Sequence, residues 1–176
     1  MLESIPVFNF LLALGGVSLG FGAVILFFDA QGQNFTLKRL VTTYGLVGAF
    51  ALSFLSSVMT LVYSEVFGFV PCGLCWLQRV FLYPQVFMLG LAVYTKDKAV
   101  ARYGIILSIP GVVISLYQHY LQIGGKEFIA CPTTGAGANC AERTLFEFGF
   151  MTFPLMSTFL FLFLIALYIY ILKTRD

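Results

Sequence analysis

The sequence predicts an all-α protein, a polytopic bundle of transmembrane helices, and three observations predict it. Of 176 residues, 60 % are hydrophobic and only 10 % are charged, and the mean hydropathy is +0.94, so the chain cannot present a water-soluble surface by ordinary means. Apolar runs of about 20 residues, enough to cross a hydrocarbon core ~30 Å thick, recur along it. Most of the connections between them are short, which makes successive helices antiparallel neighbours in one bundle.

Five spans follow in order: Pro6 to Phe28, Val41 to Tyr63, Trp76 to Tyr94, Tyr103 to Leu121 and Thr152 to Leu172. The first is read as a retained helix. Met1-Leu2-Glu3-Ser4 carries no positive charge, and "LGFGAVILFFDA" stays apolar past any small-residue cleavage site. Gly16 and Gly20 within it form a GxxxG, a spacing that lets another helix approach closely, although glycine is also simply common in membrane helices. Arg79 lies near the start of the third span and His119 near the end of the fourth, so neither needs to sit at the bilayer midplane. Pro84, Pro110 and Pro154 are read as shaping their helices, and "FLFLFLIALYIY" in the fifth span is expected to be lipid-facing bulk. No repeat of fixed period emerges. The whole chain, 1–176, is expected to form a single integral membrane domain with outer loops at 64–75 and 122–151.

Five spans sort the ten Lys and Arg residues onto two sides. Lys38, Arg39, Lys96, Lys98, Arg102, Lys173 and Arg175 fall on one, and Arg79, Lys126 and Arg143 on the other. The basic-rich side is expected to be cytoplasmic. The amino terminus is then extracytoplasmic and the carboxyl terminus cytoplasmic, and Cys72, Cys75, Cys131 and Cys140 all lie outside, in an oxidising compartment where disulfides persist. The net charge of +2 reflects this topology and gives no reason to expect a nucleic acid partner.

The chemistry concentrates in "PCGLCWLQR". If the third helix begins near Cys72, positions 72, 75 and 79 fall at i, i+3 and i+7 and share one face. A helix amino terminus carries about half a positive charge, and CxxC thiols there can have pKa values well below the free value of ~8.5. Arg79 adds a fixed cation. Together they favour a thiolate, the attacking species in thiol–disulfide exchange; a reduced quinone oxygen would suit the same electropositive site.

The second pair lies in "QIGGKEFIACPTTGAGANCAERTLFEFGFM", made pliable by Gly124, Gly125, Gly135 and Gly137. Cys131 and Cys140 enclose a short loop that can bring their Cα atoms to the ~5.5 Å a disulfide requires. The ten residues from Leu121 to Cys131 can span up to ~35 Å, so the two pairs can meet. After Cys140, "ERTLFEFGFM" mixes charge with Leu145, Phe146, Phe148 and Phe150 and is expected to lie flat at the membrane interface.

Bland readings stand beside each of these features. Both pairs can be inert staples, Arg79 can simply snorkel to the headgroups, and His119 can simply anchor a helix end. As part of a quinone site, His119 would donate a hydrogen bond near neutral pH and help deliver protons; Gln118 and Gln122 add nothing decisive. Four sulfurs also suit zinc, but two membrane spans separate the pairs and the compartment favours oxidation, so no metal site is assigned.

The order of these features resembles the DsbB family of disulfide bond formation proteins: "PCGLCWLQR" opening a span, a His ending the next, then a loop cysteine pair running into "CAER" and Pro154 at the start of the last span. The resemblance covers roughly Val41 to Leu172. It implies a four-helix core holding ubiquinone or menaquinone, with one extra amino-terminal transmembrane helix here, and a DsbA-like thioredoxin-fold oxidase as the partner to be reoxidised. It further implies that Cys75 is the quinone-facing thiolate and Cys72 its partner. Cys131 would form the mixed disulfide with the oxidase, Cys140 would exchange with Cys72, and Arg79 and His119 would contact the quinone. Three features depart from the family pattern: the first span, the short Cys131–Cys140 loop, and Gln78 where an acidic residue often precedes the arginine. The vitamin K epoxide reductase family also couples cysteine pairs to quinones, but its loop pair precedes the CxxC. The alternative from another class is a non-catalytic membrane protein whose outer loops are stapled by two disulfides.

Overall fold

The computed structural model describes residues 5–32, 35–131, 139–143 and 145–174; Gly135, Gly137 and Arg175, used above for loop pliability and charge sorting, lie outside them. Five helices run in chain order: α1 (Ile5–Gly32), α2 (Phe35–Leu61, prolonged by a π-helical turn, Val62–Val66), α3 (Gly73–Thr95), α4 (Val100–Gln122) and α5 (Phe153–Lys173). All five are long and apolar enough to cross a membrane. The fold is therefore the polytopic helical bundle that the composition implies, in which each helix satisfies its own backbone away from water.

α1 to α4 outrun the hydropathy windows, and side-chain caps set the starts of α3 and α5. Cys72 is the N-cap of α3, its sulfur accepting from Cys75 N at 3.4 Å, and Lys96 closes the helix in the left-handed region. Thr152 caps α5 through Leu155 N at 3.3 Å. Pro154 sits in the first turn of α5, where a missing N–H costs no helical hydrogen bond, whereas Pro84 and Pro110 are interior to α3 and α4.

α2 packs on α3, α3 on α4, α4 on α5, and α5 returns to α2, closing a four-helix core. Side chains bridge its seams: Thr60 to Tyr83 at 2.8 Å, Gln85 to Ser108 at 3.2 Å, Ser115 to Thr158 at 2.8 Å, and Tyr168 OH donating to Gln85 Oε1 at 2.8 Å. Such bonds hold membrane helices together where lipid and apolar side chains compete equally.

The main partner of α1 is α5, not the helix that follows it in the chain. A Cβ at Gly16 would stand 2.8 Å from Met156 Cγ, and one at Gly20 would stand 3.2 Å from the Phe159 ring. The GxxxG thus permits a close approach, and α5 is the helix that makes it. At the other end, Tyr170 OH donates to Asp29 Oδ2 at 2.7 Å and Lys173 Nζ to the Ala30 carbonyl at 3.0 Å. Sandwiched between α4 and α1, α5 turns most of this stretch inward: Leu160, Phe161, Leu164, Leu167, Tyr168 and Tyr170 are all buried, and Leu162 is exposed. That corrects the reading of the aromatic stretch. Apolarity alone does not distinguish a helix facing lipid from one facing other helices.

The segment after Cys140 also differs from a flat interfacial stretch. Glu147 and Met151 pair across a tight turn, with Phe148 and Gly149 at positive φ. Leu145 and Met151 are buried against Ala13 of α1, while Phe146, Phe148 and Phe150 are exposed.

Candidate active site

Pro71 and the extended backbone of Cys72 (φ −73°, ψ 171°) bring the chain into α3 so that the first turn starts at Gly73. Three positions on, Cys75 lies one turn along the same face, and the two sulfurs stand 2.8 Å apart in hydrogen-bond contact. Cys72 is buried and Cys75 partly so. The hydrogen bond to Cys75, and then burial, push the Cys72 thiol well above its usual range. A raised thiol favours the protonated form at Cys72.

A second helix reaches the pair. Gln118 of α4, only 1 % exposed, donates through Nε2 to Cys72 Sγ at 3.1 Å and to Cys75 Sγ at 3.2 Å. Its carbonyl oxygen accepts from Gln78 Nε2 at 2.6 Å. The sequence reading noted Gln118 as adding nothing decisive and Gln78 as a departure from the family pattern, and gave neither a role. The signal available was an amide inside an apolar span, which has to find a partner there.

Arg79, 7 % exposed, extends its guanidinium over the Trp76 ring, 5.1 Å from the centroid, and donates through Nη2 to the Thr60 carbonyl of α2 at 2.8 Å. His119, one position from Gln118, faces another way, its Nδ1 2.8 Å from Thr152 Oγ1 at the head of α5. Arg79 and His119 are thus held by separate neighbours.

Cys131 and Cys140 form a disulfide with Cα atoms 6.0 Å apart. It does not project away from the bundle. Cys140 is buried in one cluster with Cys72, Leu74 and Leu121, against which Cys75, Cys131, Ile114 and Tyr117 pack. Both legs of the loop are tied to α4. Tyr117 OH donates to the Ile129 carbonyl at 2.7 Å and accepts from Ile129 N at 3.0 Å. Gln122 Nε2 donates to the Glu142 carbonyl at 2.8 Å, and Arg143 Nε donates to the Gln122 carbonyl. All four cysteines therefore meet at one end of the bundle, as disulfide exchange between the pairs requires.

Membrane-length helices carrying two cysteine pairs packed together define a class, the helical membrane thiol–disulfide oxidoreductases. A family model described as "Disulfide bond formation protein DsbB" matches residues 42–171, and the chain belongs to the DsbB family. The match begins beyond α1 and takes in the four-helix core with both cysteine pairs. Among curated relatives, "Probable disulfide formation protein C 1" of Bacillus cereus is 37 % identical over 117 residues, covering 65 % of this chain and 81 % of that protein. "Disulfide bond formation protein C" of Bacillus subtilis is 32 % identical over 136 residues, covering 77 % and 95 %. "Probable disulfide formation protein" of Chlamydia caviae is 36 % identical over 124 residues, covering 70 % and 88 %. No solved structure matches the chain. Family membership favours disulfide oxidoreductase chemistry over a merely stapled membrane protein.

Proposed function

We propose that the chain is a quinone-dependent thiol oxidase of a bacterial inner (cytoplasmic) membrane, which reoxidises a DsbA-like thioredoxin-fold oxidase on the extracytoplasmic side. The observation that carries this reading is the packing of both cysteine pairs into one buried cluster. The bias of basic residues supports the orientation, with the amino terminus and cysteine loops outside and the carboxyl terminus in the cytoplasm.

In the first exchange, a thiolate of the oxidase attacks Cys131, the Cys131–Cys140 bond breaks, and Cys140 leaves as a thiolate. The oxidase's second thiolate resolves the mixed disulfide, so the oxidase departs as a disulfide and the loop pair becomes a dithiol. In the second exchange, Cys140 attacks Cys72 of a Cys72–Cys75 disulfide and Cys75 leaves. Cys131 then resolves the Cys140–Cys72 bond, which restores the loop disulfide and leaves two electrons on Cys72 and Cys75.

Ubiquinone or menaquinone, when bound, supplies the sink for those two electrons and two protons. The donor set fits such a group. Arg79 engages the Thr60 carbonyl through Nη2, and its other N–H groups suit an acceptor-only ring oxygen. His119 is held through Nδ1, which leaves Nε2 to carry a proton. Cys75 is the sulfur from which the electrons depart.

The test combines purified protein, a reduced thioredoxin-fold partner and a soluble quinone analogue. Cys75→Ser is expected to abolish quinone reduction, and Arg79→Met to lower it by about tenfold or more, since a hydrogen bond to a charged group contributes ~1.5–3 kcal/mol. Wild-type rates in both variants would overturn the site assignment.

A further inference from the structure

We propose that Gln118 is a catalytic hydrogen-bond donor to the CxxC sulfurs and that Gln78 is the positioning residue that fixes which end of the Gln118 amide faces them. A carboxamide offers a donor at one end and an acceptor at the other, and in a buried site its orientation follows the partner each end meets. Gln118 is 1 % exposed and Gln78 8 %, so water does not decide the matter. Gln78 Nε2 donates to Gln118 Oε1 at 2.6 Å, which turns the Gln118 NH2 onto both sulfurs at 3.1 and 3.2 Å.

The consequence lies in the exchange step. As the Cys140–Cys72 bond forms and the Cys72–Cys75 bond breaks, the electron pair settles on Cys75 Sγ. A fixed N–H donor already aimed at that atom stabilises the departing thiolate without rearrangement. A helix terminus provides this stabilisation diffusely, whereas the amide provides it at the atom.

The relay makes a specific prediction about isosteres. A glutamate at 78 has the shape of glutamine but, when ionised, only accepts. Gln118 must then turn its NH2 toward residue 78 and leave its oxygen facing the sulfurs, which opposes negative charge there. Methionine at 78 frees the amide without reversing it. The purpose of the relay rests on the proposed electron path, but its test needs neither quinone nor partner.

In full-length protein in detergent with Cys131→Ser and Cys140→Ser, the reduced CxxC pair is alkylated with iodoacetamide across a pH series. Gln78→Glu is expected to slow alkylation at neutral pH by about tenfold, the lower end of what a hydrogen bond to a charged group contributes, and to displace the rate profile to higher pH. Gln78→Met should fall between Gln78→Glu and wild type, and Gln118→Leu at or below Gln78→Met. Wild-type profiles in Gln78→Glu, or a Gln78→Met slower than Gln78→Glu, would overturn the relay. Should Gln118→Leu fail to fold, the two Gln78 variants decide. If the variants follow this alkylation order but the protein with all four cysteines reduces no quinone, the electron path is refuted and the relay stands.

Discussion

At Thr152 one hydroxyl serves two neighbours. It accepts from Leu155 N to cap α5 and lies 2.8 Å from His119 Nδ1, so α5 begins where the ring is held. Removing a Thr cap costs about 1 kcal/mol. Thr152→Val is therefore expected to lower the thermal midpoint in detergent by roughly 2–4 °C, and Thr152→Ser to leave it near wild type; equal midpoints for Val and Ser would show that the cap contributes nothing. His119 was legible as a candidate because it is the lone histidine of an apolar chain. Thr152 was not, because a single threonine before a span carries no signal until the fold brings its hydroxyl within hydrogen-bond distance of the ring nitrogen. The glutamines divide in the same way. Gln78 was visible only as a departure from the family pattern, and its meaning depends on Gln118, forty positions on in the chain and one hydrogen bond away.

Between helices the decisive quantity is how closely backbones approach. In α4, a Cβ at Gly104 would stand 2.6 Å from Tyr168 Cζ, and one at Gly111 2.6 Å from Phe161 Cζ. Both rings are fully buried, and Tyr168 is tied to Gln85, so neither can swing aside. Gly104→Ala and Gly111→Ala are each expected to destabilise the bundle by about 1–3 kcal/mol, the usual cost of overpacking. At Gly48 of α2 an added Cβ meets nothing within 4 Å, so Gly48→Ala should be neutral or slightly stabilising, since it removes glycine's backbone freedom within a helix. Comparing unfolding midpoints of the three variants checks the pair against the control. The existence and order of all five helices were legible from apolar run length. Partner choice was not for α1 and α5, because hydropathy is nearly uniform around each of these spans and the stripe that meets protein looks like the one that meets lipid. That is why the α5 aromatics read as lipid-facing, and why α1 was expected beside its chain neighbour.

Across the whole molecule, α1 lies outside the residues matched by the family, 42–171, yet it touches the redox end of the bundle. Ala13 forms a buried cluster with Leu145 and Met151, Phe10 packs against Phe148 with ring centroids 5.5 Å apart, and Asn9 Oδ1 accepts from Tyr63 OH at 2.6 Å. The segment that leaves Cys140 is therefore clamped on one side by Gln122 of α4 and covered on the other by α1. The turn is closed locally by backbone hydrogen bonds between Glu147 and Met151 and from Phe150 N to the Glu147 carbonyl, so what fixes it to the bundle is that cover. Bulk placed on the glycine stripe should lift α1 from Met156 and Phe159 while leaving the contacts among α2, α3, α4 and α5 in place. Gly16→Leu combined with Gly20→Leu is accordingly expected to speed limited proteolysis between Leu145 and Met151 several-fold, with the four-helix core remaining folded. Gly15→Leu, at a site where an added Cβ meets nothing within 4 Å, should digest like wild type. If the double variant digests no faster than Gly15→Leu, α1 does not brace the outer segment, and its packing on α5 serves the bundle alone.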